Sequence, residues 1–412
     1  MHILKNLIDC VYSMGIPKKG KMASNWGLDE NIVFLNHGSF GATPKVIIEE
    51  QRRWQDLMEK EPVRFFEEIV PSALVESRKA IAKLVNCHYD DLALIENATT
   101  GVNTILRSLE FKPGDEILVP THAYQACKNA IDYVANKWSA VVVVCEIPFH
   151  DITEEIILNN IMSCVSQKTK LALIDTVTSP TGLKMPFEIL VKSLESKGIN
   201  VLLDAAHGIG MLPLNLEDLG ASFTTSNCHK WLCAPKGTAF LHVRKDLQKN
   251  IRPLIISHGM TFPLGETTRF RHEFDWTGTR DVSAWCVLPF LIETLENLIE
   301  GGLEKMMSIN HDLAIRGRDI ICKKLNINAP CPDEMITCIA TIKLPLEGDN
   351  GIPLHDPDPL HLKLLNEYNI QVPVWYWPNP EGRYLRISAQ MYNHELEYEY
   401  LADSLFEILN KV

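Results

Sequence analysis

Apolar and polar positions along the chain fall into blocks that read strand, helix, strand, helix. Short aliphatic runs recur: Leu92-Ala-Leu-Ile95, Glu116-Ile-Leu-Val-Pro120, Ala140-Val-Val-Val-Val-Cys145, Lys170-Leu-Ala-Leu-Ile-Asp175 and Ile199-Asn-Val-Leu-Leu-Asp204. Each is too short for a buried helix and predicts a strand. The 140–145 run is β-branched and is expected to be fully buried. Between the runs, apolar residues return at helical spacing from about Thr99, over 123–137, over 154–165 and over 186–197. Pro44 and Pro71 each open an earlier helix, where a proline fits the first turn. A later strand is expected over Thr238–Val243. Such alternation predicts an α/β fold with a mostly parallel sheet covered on both faces.

The pattern changes after Trp285. Long helical stretches are expected over 281–298 and 301–325, then strands near Ile336–Leu344 and Tyr384–Ser388, with helices over 360–368 and 393–409. The turn-rich segment from Gly348 to Pro359 reads as an exposed loop. The expected organisation is a mobile tail over 1–28, a large domain over 29–290 with 29–45 as an entry arm, and a smaller C-terminal α+β domain over 291–412.

Composition narrows the class. The 412 residues are 46% hydrophobic and 22% charged, as in ordinary globular proteins. A net charge of −12 argues against a nucleic-acid or anionic-membrane surface. No apolar run approaches the roughly 20 residues of a membrane span. The 11 cysteines are scattered without metal-ligand spacing, so no metal site is expected and a reducing, cytoplasmic setting is.

Ligands of parallel sheets sit beyond the carboxyl ends of strands. Asn97, Tyr124, Thr176, Asp204 and Lys230 all fall just past predicted strand ends. An acid and a lysine so placed suit pyridoxal phosphate (PLP). The lysine bonds its aldehyde, and the carboxylate keeps its pyridine nitrogen protonated, so the ring accepts electrons. Lys230 stands among Cys228, His229, Trp231 and Leu232, an apolar setting that lowers an amine pKa. Lys236, in a turn, is its competitor. His207 is close enough in sequence to Asp204 to touch the ring oxygen. Ala98-Thr99-Thr100-Gly101 opens a helix, where free amides favour a phosphate. Tyr124 opens the next helix and is placed to stack on a ring. Arg386, amid apolar residues of a strand, calls for an anion, and a carboxylate matches its fork.

Several stretches together resemble the class V aminotransferase superfamily, the fold-type I PLP enzymes. They are Leu35-Asn-His-Gly-Ser-Phe-Gly-Ala, Glu96-Asn-Ala-Thr-Thr-Gly, Thr178-Ser-Pro-Thr-Gly, Asn227-Cys-His-Lys-Trp-Leu-Cys-Ala-Pro-Lys-Gly and Arg386-Ile-Ser-Ala-Gln-Met-Tyr-Asn. Within the superfamily, isopenicillin N epimerase-like and hercynylcysteine sulfoxide lyase-like proteins are the most similar, over about residue 29 to the C-terminus. The resemblance implies a seven-stranded sheet. It implies Ala98, Thr99, Asn227 and His229 at the phosphate, with Asn227 replacing a serine of related desulfurases. It implies Tyr124 stacked on the cofactor, Ser179 near the ring oxygen, Asn36 and His37 on the substrate side, and Arg386 as carboxylate clamp. Thr279 would reach the phosphate of a neighbouring subunit, which implies a homodimer with shared active sites.

PLP makes the Cα–H bond of an amino acid acidic, and the protein decides what becomes of the electron pair. Persulfide-forming relatives need a cysteine on the loop before Arg386, and Val372-Pro-Val-Trp-Tyr-Trp-Pro-Asn-Pro380 has none. Its aromatics suggest a wall against a substrate side chain. Epimerisation needs a second acid/base, for which only Tyr124 or His37 offers itself. β-Elimination needs only Lys230 plus activation of the leaving group, so a C–S lyase on a cysteine conjugate or related sulfur amino acid is favoured over an epimerase or aminotransferase. A non-catalytic binding subunit is the remote alternative.

Overall fold

The five short apolar runs, the expected strand over Thr238–Val243 and the polar segment Phe223–Asn227 lie edge to edge in one sheet. The computed structural model describes residues 15–345, 358–378 and 381–410. After β1 (Val33–Phe34), the sheet strands in chain order are β2 (Leu92–Ile95), β3 (Glu116–Pro120), β4 (Val141–Cys145), β5 (Thr169–Asp175), β6 (Asn200–Asp204), β7 (Phe223–Asn227) and β8 (Ala239–Val243). Their spatial order is β2-β8-β7-β6-β5-β3-β4, and only β8 runs against its neighbours. Side chains of a strand alternate between faces. Accordingly Leu171, Leu173 and Leu202 enter one core with Ile105 and Ile131, while Ala172, Ile174, Val201 and Leu203 enter another with Leu190 and Leu194. Two apolar faces explain why these strands read as unbroken hydrophobic runs.

The β4 run departs from expectation. It is the sheet edge, and Val141 and Val144 are half exposed rather than buried. β-Branching favours a pleated backbone wherever the strand sits. The position within the sheet comes from the crossovers, which the run itself does not encode.

A second sheet forms the smaller unit, from β9 (Ile339–Leu344), β11 (Val374–Pro378) and β12 (Glu381–Ser388), all antiparallel in the order β11-β12-β9. The helices Gly302–Leu325 and Glu395–Asn410 cover it. The segment read as an aromatic loop is therefore largely strand β11, paired Trp375 to Tyr384 and Trp377 to Gly382. The loop expected over 348–359 falls mostly outside the described residues. The expected helix over 281–298 is two, Ser283–Cys286 and Leu288–Glu296, with Pro289 in the first turn of the second. A helix at Arg269–Asp275 was not signalled by periodicity.

The entry arm ties the two units together. β1 pairs in parallel with β10 (Ile370–Gln371) of the small unit. A few residues on, Gly41 (φ 72°) lies so close to the carbonyl of His229 that no Cβ fits between them. Glycine is required there by both conformation and space. Of the expected tail, residues 1–14 lie outside the described residues. The rest is held in place, since Trp26 is 2% exposed and bonds the Ala42 carbonyl, and Lys19 meets Glu397. Leu291, Leu295, Leu303 and Met306 pack in the large core, and Leu313 and Ala314 in the small one. We therefore propose that the domain border lies inside the helix Gly302–Leu325 and not at 290. No helix among the described residues is long and apolar enough to cross a membrane.

Gly101, in the helix Ala98–Ser108, packs directly on β7. A Cβ there would lie 2.7 Å from the Thr225 Cβ. Gly101→Ala is expected to cost about 1–3 kcal/mol by overpacking and to weaken anion binding at that helix start. Denaturation and cofactor titration measure both effects, and an unchanged midpoint in both contradicts this packing.

Candidate active site

The carboxyl ends of β5, β6 and β7 open into one cavity of about 640 Å³, closed from the other side by the arm and by β11 and β12. Asp204 ends β6 and is 3% exposed. Its Oδ1 accepts from the Ala206 amide at 2.9 Å and its Oδ2 from the Cys127 thiol at 3.3 Å. Burial raises its pKa, offset in part by these bonds and by Lys230. Beside it, in register on β5, stands Asp175, 2% exposed, with Oδ2 unpartnered. Burial, and then the neighbouring Asp204, push its pKa well up. Two adjacent buried carboxyls cannot both carry charge unless a cation stands before them. A protonated pyridine nitrogen is such a cation, so the floor of the cavity fits the expected cofactor.

Lys230 follows β7 and projects its amine into the same cavity. Burial lowers its pKa to about 8, with the Arg386 charge adding to the effect and Asp204 opposing it. Its Nζ lies 3.1 Å from His207 Nε2. The competitor Lys236 is exposed and lies outside this cavity.

The anion end is built on the start of the helix Ala98–Ser108. Asn97 caps it, accepting from the Thr100 amide at 2.8 Å. Asn227 spends its side-chain oxygen on the Ala98 amide, also at 2.8 Å. Thr99 uses neither bond and lines the cavity, as do Asn227 and His229. A carbonyl only accepts, so His229 donates from Nδ1 to Thr238 O at 2.9 Å and keeps Nε2 free. Desolvation lowers its pKa to about 4, and a bound dianion would draw the proton back.

At the opposite end, Arg386 is 5% exposed in the middle of β12. Its guanidinium bonds the Ser179 carbonyl and the Ser39 hydroxyl (3.0 Å), and lies 5.5 Å over the Trp375 ring. Its Nε has no partner, and no carboxylate pairs with it among the described residues. Burial lowers its pKa to about 10. A buried cation without a counter-ion, facing a cavity, is suited to a carboxylate.

Most of the residues expected from sequence converge here: Lys230, Asp204, His207, Ala98, Thr99, Tyr124, Ser179, Asn227, His229 and Arg386. Tyr124 is half exposed at the cavity wall, and Ser179 stands at the guanidinium. Three do not reach the cavity. His37 is fully buried behind the lysine, bonding the Lys230 carbonyl (2.9 Å) and the Tyr392 hydroxyl (2.8 Å). Asn36 acts at one remove, accepting from the Ser39 hydroxyl at 2.6 Å. The turn presents Ser39 and Phe40 instead. Thr279 lines a separate surface cavity with Phe66, Arg271 and Trp276. Asp175 and Cys127 were not anticipated. Asp175 had a signal, because it ends its aliphatic run as Asp204 ends the next. Cys127 had none.

The aminotransferase class-V family model matches residues 46–345. Among characterised proteins, the chain is 30% identical over 408 residues to L-cysteine desulfhydrase of Arabidopsis thaliana, covering 91% of this chain and 87% of that one. It is 27% identical over 390 residues to isopenicillin N epimerase of Streptomyces clavuligerus, covering 92% and 95%. A solved complex of the cystine C-S lyase C-DES with its product cysteine persulfide superposes with a TM-score of 0.76 at 18% identity, over 92% of this chain and 98% of that one. That last likeness concerns the fold alone.

Only a neutral amine attacks an aldehyde. Cofactor uptake by the stripped protein is therefore expected to speed up as pH rises through about 8, where Lys230 loses its proton. Stopped-flow absorbance across pH 6–10 measures it. A rate still climbing only near the ordinary lysine value would show that the amine is not desolvated.

Proposed function

From the premise that the chain belongs to the aminotransferase class-V family, we propose that it is a PLP-dependent C–S lyase, cleaving a cysteine conjugate or related sulfur amino acid. One observation carries the reading: a desolvated lysine, a buried carboxyl pair and a buried arginine without a counter-ion line a single cavity. The lyase activities of relatives support the choice of reaction.

PLP, when bound, withdraws electrons into its ring and so acidifies the substrate Cα–H bond. Every other part belongs to the chain. Asp204 would hold the proton on the pyridine nitrogen, and Thr99, Asn227 and His229 would hold the phosphate end. Arg386 takes the substrate carboxylate and fixes which Cα bond faces Lys230. Lys230 removes the Cα proton, the Cβ–S bond breaks with its electron pair on sulfur, and the thiol departs. Water then releases pyruvate and ammonia. Tyr124, Trp375 and Trp377 wall the cavity and limit water.

Epimerisation is the second reading, since one relative carries that name. It would need a base facing Lys230 across the substrate. His37 is withdrawn into the core, with its pKa lowered to about 3 by burial, so of the two candidates offered by the sequence only Tyr124 lines the cavity.

The chain is proposed to work as a homodimer in the cytoplasm. Leu254, Ile255, Ile256, Met260, Phe262 and Leu264 are each 44–59% exposed in one segment, a concentration of apolar surface that supports a covered interface. Thr279 would then serve the neighbouring site. The described cysteines are all free thiols, which supports a reducing compartment. A holoenzyme that sediments as a monomer overturns the shared site.

The reaction is tested by incubating the enzyme with cysteine conjugates and their sulfoxides, assaying pyruvate, and following Cα in deuterated water. Pyruvate without inverted substrate is expected. Inverted substrate without pyruvate overturns the lyase in favour of the epimerase.

A further inference from the structure

Two hydrogen bonds behind the cavity wall fix the place of one proton. The indole N–H of Trp231 can only donate, and it stands 3.0 Å from His207 Nδ1. That nitrogen must offer its lone pair. Desolvation is the main cause that keeps the His207 ring neutral, and the Arg386 charge adds to it. A neutral imidazole with a bare Nδ1 carries its hydrogen on Nε2. Nε2 in turn lies 3.1 Å from Lys230 Nζ. An N–H aimed at an amine needs a lone pair there, and an ammonium has none. The arrangement accepts a free amine and opposes a charged one.

We propose that Trp231 is a positioning residue for Lys230: its indole N–H locks His207 as the Nε2–H tautomer, and His207 holds the lysine nitrogen in the unprotonated form that attacks an aldehyde or removes a proton. The proposal rests on the reading of Lys230 as cofactor lysine and base. It also gives the proton a direction. Once Lys230 has taken the Cα proton, the facing N–H disfavours the ammonium. The proton then passes to the departing sulfur, which holds the electron pair of the broken C–S bond, and Lys230 returns to its free form.

Other titratable groups face the lysine. Asp204 on β6 and Cys127 on the helix Gln125–Trp138 favour its charged form, and Arg386 on β12 opposes it. His37 lies behind its carbonyl. Replacing Trp231 leaves all of these in place, so a change in the lysine's proton affinity reports the tautomer and not the surrounding charge.

The test uses the holoenzyme with ¹⁵N-labelled histidine. In the wild type, His207 is expected as Nε2–H throughout pH 6–9. In Trp231→Phe, which removes the donor and keeps an aromatic ring, a mixture with Nδ1–H is expected. The pH midpoint of the cofactor's visible band should rise by about one unit, a tenfold change in proton affinity. Trp231 is 1% exposed and packs on His37, so Phe could disturb the core. Benzothienylalanine at 231 keeps the indole shape and puts sulfur in place of N–H, and the same shift is expected with it. A wild-type His207 protonated on Nδ1, or a midpoint unmoved in both variants, overturns the proposal. A visible band that survives Lys230→Ala would instead overturn the reading of the lysine itself.

Discussion

Desolvated charge without internal neutralisation is the constraint on which the rest of the structure depends. Arg386 and the Asp175–Asp204 pair are buried and Lys230 is half-buried around one cavity, and none of them forms an ion pair among the described residues. Burying such groups is costly unless a partner of opposite charge arrives. The fold tolerates them because their partners are expected from outside: a pyridinium before the carboxyls, an aldehyde at the amine, a substrate carboxylate at the guanidinium. The same burial tunes the lysine to about 8, near a working pH for a base. The scaffold supplies rigidity through ordinary means. Parallel strands β5 and β6 fix the two acids at one level, β7 carries Asn227 two residues beyond it, and a glycine contact clamps the arm onto the backbone of the lysine.

Much of this was legible in the sequence. Short apolar runs gave six of the seven sheet strands, and the run that ends in Asp204 gave the depth of that residue. The setting of Lys230 between a strand end and Trp231 marked it as desolvated. What the sequence could not give was lateral order. The Val141–Val144 run reads like any buried strand, and it became an edge because of crossovers remote from it. The β11 segment was hidden by Pro373, Pro378 and Pro380 and declared itself only through pairing with β12.

Side-chain direction was the other blind spot. His37 and Ser39 lie two residues apart, yet one points behind the lysine and the other at Arg386. A short helix at His37–Phe40 turns them apart, and a loop-like motif does not announce it. That difference bears on chemistry. With His37 withdrawn, one of the two candidates for a second base is lost, which suits elimination more than inversion. Cys127 shows the same limit, since a thiol on a neighbouring helix reaches Asp204 only through tertiary packing.

All of these roles converge on the amine of Lys230, and its covalent attachment is the most direct measurement. The yellow holoenzyme is reduced with borohydride, digested and mapped by mass spectrometry. The cofactor adduct is expected on the peptide containing Lys230, at that residue. An adduct on Lys236 or any other lysine, or none at all in protein saturated with PLP, would contradict the assignment on which the site and the reaction rest.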